Sequence, residues 1–335
     1  MCLCVSKKKC VNSPHLFTFH LKKMFLKTLL ITAFIMAQCG SNSSSKPAEN
    51  TAERGVTYSE SISKVFPYDL NNPTNTFELD VSLREISGLT TTPKPDLLAA
   101  VQDEKGQLFY INKKTGQVTP SVIFADDGDF EGIEFVGDTL WVVKSKGRLF
   151  KLWNLDKTPY DMATFKIESL KKANIEGLGY DAQNNRLLLA QKGEKTDETT
   201  SRSIFAFDLK NQTPSVSKAF EVDLKQFQAF LTDKKEKRYQ HLQKDYIENP
   251  VPKGVEWGPS GVAVHPTSGN IFILSSMNKV LIVTSPKGEI LEMVKLDKNR
   301  LQQPEGICFD PDGTLYISTE AKDEAKGKVL VFKPK

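Results

Sequence analysis

The sequence predicts an all-β fold, a β-propeller of five blades closed by a strand from its own N-terminal side. Three observations carry this. Gly88, Gly132, Gly177, Gly261 and Gly306 stand in five related segments, spaced by 44, 45, 84 and 45 residues. Each is followed by short apolar runs punctuated by turn residues, and a period in the forties with up to four strands per unit is the mark of propeller blades. The last unit has 30 residues, Gly306 to Lys335, room for three strands. A strand at Thr76–Ser82, just before the first repeat, can supply the fourth and pair the two chain ends, which hides both edges.

At 39% hydrophobic and 26% charged over 335 residues, the composition is neither disordered nor that of a multi-span membrane protein. The basic excess of +4 is confined to the start: residues 1–38 carry six lysines and no Asp or Glu, and a chain beginning at Cys39 carries −2. A nucleic-acid partner is excluded on that ground. Lys22, Lys23 and Lys27 precede the apolar run Thr28–Ala37, the n-region and h-region of an export signal with a plausible true start at Met24. The run is too short to span a bilayer. Met36-Ala-Gln-Cys39-Gly-Ser41 follows and is similar to a bacterial lipoprotein cleavage site, with Met36 and Gln38 departing from the usual Leu and small residue. Cys39 is the expected lipidation site, making the lipid membrane a partner. The chain would then be exported and anchored in the cell membrane or outer membrane, facing the periplasm or the surface. Residues 39–65 read as a flexible, lipid-anchored tether. Only Cys39 and Cys308 remain beyond the leader, which excludes a disulfide framework and a thiolate zinc site.

The propeller is expected over 66–335. Second strands fall at Leu140–Val143, Leu187–Ala190, Ile271–Leu274 and Leu315–Ile317. Third strands fall at Arg148–Leu152, Ile204–Phe207, Val280–Val283 and Val329–Phe332. Turns such as Asp181-Ala-Gln-Asn-Asn185 and Asp310-Pro-Asp-Gly313 lie between. The 84-residue interval holds one unit plus a surplus. Residues 224–250 there are charged, with Leu224, Phe227, Leu231, Leu242 and Tyr246 at helical spacing, so a helical insertion in or after the third blade is expected. A degenerate sixth blade is the alternative.

The residues before each shared glycine are the candidate site. Three places before it stand Glu85, Asp129, Asn174, Gly258 and Gln303; one place before stand Ser87, Glu131, Glu176, Ser260 and Glu305. Alternation puts both sets on one side of an extended chain, and inner strands of a propeller begin at one mouth of the channel. Crowded carboxylates in a desolvated site either protonate or bind a cation. An all-oxygen donor set points to calcium, with Glu131, Glu176, Glu305, Glu85 and Asp129 as ligands and Ser87, Asn174, Ser260 and Gln303 as polar channel residues. The competing reading is that these groups bond neighbouring blades. A second polar set, Asp103, Ser145, Gln191, Ser275 and Glu320, ends the second strands and is read as loop polarity. His265 is read as a turn residue, Cys308 as core, and Trp141, Trp153 and Trp257 as packing. No triad, phosphate loop or dinucleotide fingerprint is present.

Leu83-Arg-Glu-Ile-Ser-Gly-Leu89, Asp129-Phe-Glu-Gly-Ile133, Asn174-Ile-Glu-Gly-Leu178, Pro259-Ser-Gly-Val-Ala263 with His265-Pro266, and Gln303-Pro-Glu-Gly-Ile307 with Asp310-Pro-Asp-Gly313 resemble the SdiA-regulated family, from about residue 66 to the end. The resemblance implies a five-bladed, NHL-repeat-related propeller behind an export or membrane signal, a calcium site, and no established activity. Two functions are expected from this. The first is a calcium-binding binding or scaffold module of the cell envelope, with an unknown protein or small-molecule ligand. The alternative is a metal-dependent hydrolase of lactones, esters or phosphoesters, by analogy with six-bladed calcium-dependent lactonases and phosphotriesterases. There Glu131, Glu176 and Glu305 would hold the metal and Asp129 or Glu85 would be the only base on offer.

Overall fold

The computed structural model describes residues 64–193, 199–252, 256–321 and 326–335. The leader, Cys39 and the tether up to residue 63 lie outside the described residues. Among the described residues, twenty strands form five four-stranded antiparallel sheets. The first blade holds β2 (Ile86–Thr91), β3 (Leu97–Gln102), β4 (Gln107–Asn112) and β5 (Val118–Ile123). The second holds β6 (Phe130–Val136), β7 (Thr139–Lys144), β8 (Arg148–Trp153) and β9 (Asp161–Lys166). The third holds β10 (Ile175–Asp181), β11 (Arg186–Gln191), β12 (Arg202–Asp208) and β13 (Ser217–Val222). The fourth holds β14 (Pro259–Val264), β15 (Ile271–Ser275), β16 (Val280–Thr284) and β17 (Ile290–Lys295). The fifth joins β18 (Gln303–Phe309), β19 (Leu315–Glu320) and β20 (Lys328–Phe332) to β1 (Asn75–Glu78).

The closing strand pairs as the repeat arithmetic requires, with Asn75 opposite Val331 and Phe77 opposite Val329. It is shorter than the sequence suggests, because Asp80 caps a 3-10 turn at Val81–Leu83 by accepting from the Ser82 amide and so ends the extended run. Each blade is buried on both faces, which explains apolar runs in place of clean alternation. Leu98 and Ala100 of β3 pack toward the fifth blade, whereas Ala99 and Val101 pack toward the second. Five apolar clusters result, one in each seam between successive blades. The seam between the fourth and fifth also takes Phe66 and Tyr68 from the segment preceding β1.

The repeat glycines have a steric cause. Inner strands β2, β6, β10, β14 and β18 converge on the axis, each against the next, and β18 returns to β2. A Cβ on Gly132 would fall 2.8 Å from the Leu178 amide nitrogen, and one on Gly306 2.8 Å from that of Leu89. Only a residue without a side chain lets neighbouring inner strands approach this closely.

The surplus in the long interval is helical: α1 (Leu224–Thr232), a 3-10 turn at Lys237–Tyr239, α2 (Gln240–Gln243) and a π-helical turn at Lys244–Glu248. Asp223 and Gln226 form a reciprocal capping box at the start of α1. Phe227, Leu231, Tyr239, Leu242 and Tyr246 join the core of the third and fourth blades beside Trp257. Tyr239 donates to Glu292 at 2.7 Å and Arg238 pairs with it at 3.1 Å, fixing the insertion to β17 on the outer side of the ring. No described helix is long and apolar enough to cross a membrane.

Candidate functional site: a carboxylate cluster on the propeller axis

All five inner strands begin at one mouth, and each carries a β-bulge there. In β2 the register steps from Ile86 opposite Gln102 to Gly88 opposite Val101, leaving Ser87 as the extra residue. The same step recurs at Glu131, Glu176 and Ser260, and across Glu305-Gly306. A bulge re-aims a side chain, and here it turns the residue before each glycine into the channel. Ser87, Glu131, Glu176, Ser260 and Glu305, with the glycines and the residues after them, line an axial cavity of about 10 Å³. That is room for one water-sized occupant.

Two of the five bond neighbouring blades. Ser87 Oγ donates to the Phe130 carbonyl at 2.6 Å, and Ser260 Oγ to the Pro304 carbonyl at 2.7 Å. The three glutamates gather around a group the sequence reading passed over, Lys192. Its Nζ donates to Glu176 Oε2 at 2.8 Å. Burial works against the ammonium, yet Glu305, Glu176 and Glu131 outweigh it and hold the amine above its ordinary range. Burial, the Glu176 carboxylate and a hydrogen bond with Asp129 push Glu131 up to about 10. Burial pushes Glu305 up to about 8 against the pull of Lys192. Burial also raises Glu176, with Lys192 opposing. Glu176 and Lys192 thus form the short ion pair of the cluster, while burial disfavours the charged forms of Glu131 and Glu305.

The residues three places before the glycines sit at the rim and not in the ring. Asp129 is exposed and reaches Glu131 from there. Glu85 lies with Asp103 and Glu320, where burial, then the Glu85 and Glu320 carboxylates, raise Asp103 to about 6. Gln303 Nε2 donates to Glu320 at 2.5 Å, and Asn174 donates to the Gly193 carbonyl at 3.2 Å. The five candidate carboxylates thus divide into an axial trio and two rim residues.

The second polar set belongs to this mouth and is not mere loop polarity. In an antiparallel pair the end of the second strand lies beside the start of the first. The Asp103 amide donates to the Glu85 carbonyl, that of Ser145 to Asp129, and that of Lys192 to Asn174. Ser145 Oγ also bonds the Asp129 carboxylate, and Ser275 Oγ accepts from the Gly258 amide at 3.1 Å. Gln191 is the exception, since its neighbour Lys192 takes the channel place.

A deeper pair lies further along the axis side of the inner strands. Thr90 Oγ1 donates to Glu134 Oε1 at 2.7 Å, and burial holds Glu134 up at about 7. Cys308 is buried in the seam between the fifth and first blades. His265 does occupy a turn, and its ring also locks the N-terminal segment: Nε2 meets Tyr68 Oη at 3.0 Å, and Tyr68 donates onward to the Gly313 carbonyl at 2.7 Å. Trp257 is packed, its Nε1 donating to the Thr200 carbonyl at 3.0 Å.

Calcium takes six to eight oxygens, and the trio with Asp129 offers oxygens of the right kind. As the side chains stand, however, they are arranged about an ammonium. Among the described residues no group of three or more Asp, Glu, His or Cys is placed to hold a metal. The arrangement does not fit a divalent ion unless Lys192 withdraws.

A five-bladed propeller whose inner strands meet in a polar axial cluster is the class that fold and site define. The family model for SdiA-regulated proteins matches residues 73–322, and the chain belongs to that family. No curated protein matches. Among solved structures, the chain is similar to an aldose sugar dehydrogenase from Streptomyces coelicolor in its PQQ-bound form, at 11% identity and TM-score 0.49, covering 79% of this chain and 98% of that one. It is similar to glutaminyl cyclase from Myxococcus xanthus at 13% identity and TM-score 0.48, covering 79% and 97%. It is also similar to a streptogramin B lyase at 13% identity and TM-score 0.41, covering 73% of this chain and 65% of the lyase.

Proposed function

We propose that this SdiA-regulated propeller is a binding or scaffold module of the cell envelope, exported and held to a membrane by lipid on Cys39. Its axis serves as a structural plug and not as a catalytic channel. One observation carries the second half. The space between the axial glutamates is about 10 Å³, whereas small-molecule sites run from about 300 Å³ upward. The cation that a hydrolase of this kind would use is replaced by the Lys192 ammonium, 2.8 Å from Glu176. A panel of chromogenic lactones, carboxyl esters and phosphotriesters, assayed with and without calcium, tests this. No turnover sensitive to Glu131→Gln or Glu176→Gln is expected; turnover abolished by both would restore the hydrolase. The anchor is tested separately: Cys39→Ala should move the chain from the membrane to the soluble fraction.

A calcium site is the second reading, and one observation favours it. Three partly desolvated carboxylates face a single ammonium, so the cluster is neutral only with two of them protonated. A divalent ion could take the place of those protons. Calcium binding would then release protons and displace Lys192, which a titration in two buffers of different ionisation enthalpy detects.

A further inference from the structure

A second site lies on the same mouth, over the second blade. Register brings it about. Arg148 at the start of β8 is paired with Lys144 at the end of β7 and with Lys166 at the end of β9. Directly paired residues share a face of the sheet, and like charges in that relation repel. Three cations in one row across three adjacent strands repel one another, and a negative group seated over them relieves that repulsion. Two more, Lys146 from the β7–β8 turn and Lys171 from the turn after β9, complete the wall of a cavity of about 350 Å³.

The acidic residues at its edge answer only part of this charge: two carboxylates, Asp129 and Glu168, stand among the five cations of the lining. Glu168 is engaged by Lys166 at 2.5 Å, and Asp129 is held by the Ser145 hydroxyl. Lys146, Arg148 and Lys171 make no ion pair among the described residues. Lys144 is laid over the Phe130 ring at 4.3 Å. It passes Gly128 so closely that a Cβ there would fall 1.9 Å from its Nζ.

We propose that this cavity is a binding site for a phosphate-bearing ligand, held by Lys144, Arg148, Lys166 and Lys171. The volume suits a sugar phosphate or a phospholipid headgroup, and arginine with several lysines is the donor set that a phosphate takes up. The four cations that form the site stand on the second blade and the turn after it, outside the axial cluster.

The test uses the full chain and two probes. Glucose 6-phosphate is titrated by calorimetry beside glucose. Sedimentation is measured with phosphatidylglycerol vesicles beside phosphatidylcholine vesicles. The double variant Arg148→Gln/Lys171→Gln changes two exposed side chains, so the fold should survive; Lys225→Gln/Lys235→Gln, on the helical insertion, removes the same charge elsewhere. Saturable binding of one probe, weakened at least tenfold in the first variant and less than twofold in the second, is expected. The probe that binds identifies the source, free phosphate ester or headgroup. Three results would overturn the proposal: equal losses in both variants, glucose binding as well as its phosphate, or no binding of either anionic probe.

Discussion

Replacing Lys192 by Met keeps most of the side-chain stem and removes the charge that faces the axial glutamates. The Nζ–Oε2 separation is 2.8 Å, and the two side chains are 23% and 10% exposed. At an effective dielectric near 20, the gross attraction at that distance is about 6 kcal/mol, much of it offset by desolvation. In the variant Glu176 can escape its isolation by protonating. Moving a carboxyl from its ordinary range near 4.3 to the neutral form at pH 7 costs about 4 kcal/mol, and that caps the loss. Allowing for the remaining exposure, we expect about 3 kcal/mol of destabilisation at pH 7. The sign with pH follows. Without the ammonium, Glu176 is raised further than it already is. A raised carboxyl contributes stability that is fully present below its unfolded value and is lost as pH rises through its folded value. The penalty should therefore shrink to under about 1 kcal/mol at pH 5. Urea unfolding of both proteins in EDTA at pH 7 and pH 5 measures this. Equal midpoints at pH 7, or a loss that does not change between the two pH values, would refute the account of the plug.

Other consequences concern the ring and its lock. Gly132→Ala puts a Cβ 2.7 Å from that of Leu178, and overpacking between inner strands should cost about 1–3 kcal/mol in a thermal melt. Tyr68→Phe removes hydrogen bonds to the Gly313 carbonyl and to His265; a loss of about 1–2 kcal/mol is expected, with earlier proteolysis at the N-terminal segment. Glu134 sits at about 7 because it is buried. Its protonated form stabilises the fold fully below about pH 4.5, and this contribution is lost as pH rises from there through about 7. Glu134→Gln keeps an acceptor for Thr90, so it should gain up to about 3 kcal/mol at pH 8 and nothing at pH 4.

The blade count and the closing strand were legible because they rest on spacing. Convergence on an axis imposes a glycine on every inner strand, and a short last unit demands a strand from the other end. The helical insertion was legible from the spacing of Phe227, Leu231, Leu242 and Tyr246. Lys192 was not, although it lies only one place beyond Gln191 in the aligned set. Its role depends on closure, which sets the end of β11 against glutamates from the second and fifth blades. The bulges were equally invisible, since alternation alone assigns Glu85 and Glu131 to equivalent positions, whereas the extra residue sends one to the rim and the other to the axis. The stack of Lys144, Arg148 and Lys166 exists only once the register of β7, β8 and β9 is known.

The central claim is that Lys192 supplies the cation of the axial cluster. Calorimetric titration of calcium into the EDTA-treated chain, with melting curves alongside, tests it most directly. The account expects no saturable heat and no thermal shift in the wild-type protein up to millimolar calcium, and the appearance of both in Lys192→Met. Binding of about one ion per wild-type chain, with a raised melting temperature and released protons, would contradict it and make the glutamates calcium ligands.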